Sequence, residues 1–149
     1  MTATSHARLI HYSAEPLGEI LSVSQQPRSR VKPEGLWVAT DEGWKELFQK
    51  RAWPRQRLRH QTKIILAREA KILNLSGAND IYGFTATHDL DHGMRIDWNG
   101  VAEQWHGIII APHCAEKAQS LSSIWYHFWD CASGCIWNAE AIERVEVMT

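Results

Sequence analysis

The chain has few cysteines, few prolines, no dominant charge and no long apolar run. Its three cysteines, Cys114, Cys131 and Cys135, are an odd and sparse set. Such a set does not build the dense cross-linked framework of a small secreted domain. No stretch approaches the roughly 20 apolar residues that cross a bilayer as a helix. The opening residues, MTATSHAR, lack the apolar core of a secretory signal. Lysine and arginine total 16 against 17 aspartates and glutamates, a net charge of -1. That balance argues against a protein that coats nucleic acid or membrane through bulk charge. Together these absences predict a cytoplasmic protein with no membrane partner. A length of 149 residues suits one domain with a sizeable core, and no internal repeat or low-complexity segment divides it.

Tryptophan is what the chain has in excess. There are eight, at 37, 44, 53, 98, 105, 125, 129 and 137. Each buries a large area and needs a partner for its N–H. Most are expected in the core and its rim, although flat rings also suit planar ligands.

Periodicity and breakers organise the rest. "ARLIHYS" reads as a short strand, and "AEPLGEILSV" as a loop with a turn or a strand fragment. "SQQPRSRVKPEG" is polar, carries two prolines and reads as a loop. "GLWVAT" is a short apolar, β-branched run that predicts a buried strand. A helix follows, with Thr40 as its cap and Asp41 and Glu42 in the first turn, where the helix dipole favours them. Trp44, Leu47 and Phe48 give it one apolar face, and Pro54 marks its end. "TKIILA" and "AKILNL" read as two strands, or as one with a break. "SGANDIYGFTATHDLDHG" reads as a turn-rich loop, and a short helix is expected from Trp98 to Trp105. "HGIIIAP" is a strand apolar on both faces, hence interior to a sheet. "AEKAQSLSSIWYHFWDCASG" is mixed and has no clear period. "GCIWN" and "ERVEVM" read as strands joined by a helical turn at "AEAI". This pattern predicts a single α+β domain.

Three stretches carry candidate chemistry. His11, Tyr12 and Ser13 end the first strand, where an imidazole and a hydroxyl can meet a ribose or an amide; a strand with a satisfied histidine is the plainer alternative. In "KPEGLWVAT", Gly35 permits close backbone approach, and Trp37 is either a stacking platform or a core residue. In "FWDCASGCIWN", Asp130 precedes a small-residue turn. There it can stabilise developing positive charge or simply start the turn.

Taken in order, these stretches resemble the ADP-ribosyltransferase fold. The features are a first strand ending in His with a hydroxyl residue nearby, then "GLW" before a helix, and the paired runs of "TKIILAREAKILNL". "WHGIIIAP" and "SGCIWNAEAIERVEV" follow as later strands. The resemblance is greatest to the small forms carried by bacteriophages and mobile elements. It implies a split β-sandwich with a few short helices. It also implies cleavage of the nicotinamide–ribose bond of NAD and transfer of ADP-ribose to a host protein or nucleic acid in the host cytoplasm. On this resemblance His11 would hold the ribose, with Tyr12 and Gly35 beside it. Ser13 would contact the nicotinamide amide, and Trp37 would stack on the ring in place of the family's tyrosine. "GCIWN" carries no acidic residue where the family places its glutamate, so Asp130 would stand in, with Glu103 second. Arg55 would grip the pyrophosphate. It belongs to a basic run of Lys50, Arg51, Arg55, Arg57, Arg59 and Lys63 that would otherwise dock an acidic target.

Two other classes stay open. One is a binding or inhibitor protein on the same fold without catalysis. The other is a small nucleic-acid binder stabilised by metal through His113, Cys114, His127, Cys131 and Cys135, although these lack the usual paired short knuckles. His88, Asp89, Asp91 and His92 in "THDLDHG" could also hold a cation, but the stretch reads more simply as a polar loop.

Overall fold

Short runs of apolar and β-branched residues make strands, and seven strands form one mixed sheet, in which the strands Gly107–Ile110 and Ser133–Ile136 are buried on both faces. The computed structural model describes residues 8–25, 31–40, 43–52 and 54–148, and for Arg55 the backbone alone. The strands are β1 (Leu9–Ser13), β2 (Leu36–Thr40), β3 (His60–Leu66), β4 (Ile72–Leu75), β5 (Gly107–Ile110), β6 (Ser133–Ile136) and β7 (Ile142–Met148). Their spatial order is β4-β5-β6-β2-β1-β3-β7. Only β4 and β5 run parallel. A parallel pair needs a long crossover, and helices α2 (Ala78–His88) and α3 (Trp98–Gln104) fill it. Helix α1 (Gly43–Arg51) follows β2. The chain is thus a single α+β domain. Among the described residues no helix is long and apolar enough to cross a membrane.

One face of the sheet carries the aromatic core. Leu75, Ile108, Ile110 and Cys135 project from the strands onto Ile81, Phe84, Trp98, Val101, Trp125, Tyr126 and Trp129. The rings meet at angles that suit their quadrupoles: Trp98 and Trp129 each lie 5.9 Å from Trp125, nearly edge-on. Each buried indole N–H has an acceptor. Trp125 Nε1 donates to Thr85 Oγ1 (2.8 Å), Trp137 Nε1 to the Trp105 carbonyl (2.7 Å) and Trp98 Nε1 to the Val31 carbonyl (3.1 Å). The opposite face packs a smaller cluster of Leu9, Val38, Ile64, Ile109 and Ile136 beneath Leu17 and Ala141.

Most expected strands form, and "HGIIIAP" lies inside the sheet, between β4 and β6. Asp41 and Glu42 lie outside the described residues, as does Trp53. "AEPLGEILSV" forms no strand, and the mixed stretch before β6 folds as 3-10 turns over Lys117–Gln119 and Leu121–Phe128. One expectation is corrected: residues 76–93 are not all loop, because Ala78–His88 is a helix. Gly83, Thr85 and Thr87 weaken its intrinsic propensity, which made the stretch read as turns. Burial overrides propensity there. Ile81, Phe84 and Thr85 lie on one face against the tryptophans, and Asp80 Oδ2 accepts from the Ser76 N–H at the start.

Thr85 Oγ1 also donates to the Ile81 carbonyl at 2.7 Å, so its hydroxyl is used twice inside the core. Thr85→Val keeps the shape but leaves the Trp125 N–H buried without an acceptor. The expected cost is roughly 1–3 kcal/mol, read as a lower midpoint in chemical denaturation with an unchanged slope.

Candidate functional site

A glycine at the entrance of β2 creates the site. Gly35 has φ +154°, and a Cβ there would come within 2.6 Å of the Ile136 carbonyl oxygen. Only a residue without a side chain lets the segment 31–35 lie this close to β6. That segment is pinned to the protein at three further points. Trp98 donates to the Val31 carbonyl at 3.1 Å. The Cys135 thiol lies 3.9 Å from the Pro33 carbonyl. The buried side chain of Gln25 bonds both backbone groups of Glu34, each at 2.8 Å. Such bracing pre-organises whatever the segment presents.

The segment is one wall of a pocket of about 720 Å³, within the range of small-ligand sites. Trp37 lies behind it, and His127, Phe128 and Asp130 form the opposite wall. The Trp37 ring packs on Trp129 at 4.9 Å, and the Lys32 ammonium stands 5.2 Å from its centroid. That distance is a cation–π contact. Two carboxylates, Glu34 and Asp130, share the pocket with this single ammonium. Asp130 also faces Arg51 at 3.8 Å, an exposed and weak pair. His127 is held by a 2.6 Å bond between its Nε2 and the Ser120 carbonyl.

The structure brings together three of the expected residues, Gly35, Trp37 and Asp130. Others lie elsewhere. His11 does not share a face with Trp37. Ile10 pairs with Ala39, so strand alternation sets Tyr12 on the Trp37 face and turns His11 toward Leu9 and Val38. Its Nδ1 meets the Trp37 carbonyl oxygen at 2.7 Å, a contact with backbone. Tyr12 is buried beside Trp44, 6.1 Å between rings. Ser13 closes a local turn by donating to the Glu15 carbonyl at 2.6 Å. Glu103 is exposed on α3 and does not line the pocket. The Arg55 side chain lies outside the described residues.

The metal alternative finds no support in the geometry. Among the described residues no three His, Cys, Asp or Glu side chains gather closely enough to hold an ion. His113 Nε2 bonds the Trp129 carbonyl at 2.7 Å instead. Lys32, Glu34 and Phe128 line the pocket without having been singled out in the sequence, and His127 was considered only as a metal ligand. Lys32 and Glu34 open the stretch "KPEGLWVAT", where only Gly35 and Trp37 were given roles, and their closeness to those two residues was the one local signal. Compared with protein-family models, curated proteins and solved structures, the chain matches none.

Burial raises the thiols behind the pocket. Cys135 is pushed well above the ordinary thiol value, and Cys131 rises from 9.0 to about 11, chiefly by desolvation. A raised folded pKa adds stability below the unfolded value and loses it as pH rises through the folded one. Stability measured by urea denaturation is therefore expected to fall from about pH 9 toward pH 11. Cys131→Ser should flatten part of that decline.

Proposed function

We propose that the chain is an ADP-ribosyltransferase-like protein that binds NAD with its nicotinamide riboside in this pocket. The observation that carries the reading is the Lys32 ammonium over the Trp37 ring, beside Glu34 and Asp130. A ring face that already accepts a cation suits the nicotinamide of NAD, which is both flat and positively charged. Binding would replace Lys32 with the ring and free the ammonium for the phosphates. A carboxylate near the ribose stabilises the oxocarbenium-like centre left when the nicotinamide–ribose bond breaks. Asp130 and Glu34 are the candidates for that role, and Trp37 holds the leaving ring in one geometry.

The seven strands form one continuous sheet, and the split β-sandwich that the resemblance implies would divide it at its narrowest pairing. β1 and β2 share two registered pairs, against five between β1 and β3 and four between β2 and β6. His11 bridges this seam through the Trp37 carbonyl, so we assign it to positioning Trp37. Arg51 meets Asp130, and with the exposed Lys50 and Arg57 it would offer a docking place for an acidic host acceptor.

Calorimetric titration with NAD tests this reading. Saturable binding is expected, weakened roughly tenfold or more by Trp37→Ala and less by His11→Ala. Absence of binding at millimolar NAD overturns it. Asp130→Asn is expected to keep most of the affinity while release of nicotinamide stops. A second reading, binding without transfer, is favoured by the Asp130–Arg51 contact and by the lack of an acidic residue in β6. NAD binding with no nicotinamide release from the unaltered protein would select it.

A further inference from the structure

β7 is one of the two outer strands of the sheet. Among the described residues no strand pairs with its outer side. It is seven residues long, against four for β4 at the other edge. Its residues from Glu143 to Val147 are all exposed, and Val147 keeps 78% of its surface in water. A long outer strand of this kind offers a row of unpaired backbone groups to another strand. Proteins commonly blunt such an edge with charge, and β7 carries charge at Glu143, Arg144 and Glu146. The pattern of that charge argues for a different outcome.

We infer that β7 is the pairing surface for a second copy of this chain, joined edge to edge in an antiparallel, two-fold arrangement centred on Val145. Two-fold pairing places residue i opposite residue j when their numbers share a fixed sum. Centring on Arg144 sets Arg144 against itself, and centring on Glu146 sets Glu146 against itself. Like charges directly opposite destabilise a sheet pair. Centring on Val145 sets Arg144 opposite Glu146 of the other copy, twice on one face, with the two Val145 side chains meeting on the other face. This register is self-complementary in charge.

The neighbouring strand extends the match. Lys63 pairs with Glu146 across β3 and β7, and Ile65 pairs with Arg144. Each cross-sheet row in the pair of chains then reads Lys63, Glu146, Arg144, Ile65 across the junction, with charges alternating in sign. The register shift at Ile65 and Leu66 lies at the start of β7, which leaves the central residues in regular pairing. In the single chain Arg144 folds back on Glu143 and Glu146 of its own strand, each at 3.0 Å. Pairing redirects the guanidinium across the junction without stranding it.

Sedimentation of the full chain, with light scattering, tests the inference. The unaltered protein is expected to form dimers as concentration rises. Arg144→Glu alone and Glu146→Arg alone should each be monomeric, since each sets like charges opposite in its own dimer. Mixed together, the two variants should pair, because Glu at 144 then faces Arg at 146 and Arg at 144 faces Glu at 146. Both sites are exposed, and circular dichroism of each variant checks that the fold is kept. A monomeric unaltered protein overturns the inference, as do variants that dimerise alone. A mixture that stays monomeric overturns the register.

Discussion

The short pairing of β1 with β2 is the constraint on which the rest of the structure depends. Only Leu9 with Thr40 and Ile10 with Ala39 hold the two halves of the sheet in register. A one-residue slip here would turn every side chain of one half to the other face. The register sets Trp37 on the aromatic side and His11 on the other. It also places the carbonyl of Trp37 where the His11 ring can bond it, at 2.7 Å. The seam thus decides which residues can share a ligand.

Around that seam the aromatic core does two jobs. It fills the space between the sheet and the helices with rings that satisfy their own N–H groups. It also reaches into the pocket wall, since Trp98 holds Val31 and Trp129 backs Trp37. Gln25 and Gly35 complete the bracing from the far side. A site built this way costs little reorganisation when a ligand enters. The abundance of tryptophan therefore serves packing first, and the pocket through packing.

Much of the fold was legible because strands leave a strong local signature. "LIHYS", "GLWVAT" and "GIII" are short runs rich in apolar residues, "ERVEVM" alternates charged residues with valine, and each became a strand. Helix α2 was hidden because Gly83, Thr85 and Thr87 speak locally for turns, while its stabilisation comes from Ile81 and Phe84 meeting residues 98 and 125. The site was less legible. Gly35, Trp37 and Asp130 share one pocket, yet Lys32 and Glu34, beside Gly35 in the chain, carry no local sign of a place there. His11, the most suggestive residue of the first strand, stands on the wrong face for Trp37.

Composition and periodicity by themselves determined that this chain is an α+β domain, rich in buried tryptophan and without a membrane-spanning run. Those properties are sums over local choices, and local choices are written residue by residue. Which strands lie side by side, and in which register, was decided only by the tertiary structure. Pairing between residues as distant as Trp37 and Cys135 depends on burial summed over the whole sheet. The pocket follows from that pairing, because its two walls lie about ninety residues apart in the chain and meet only where β2 and β6 do.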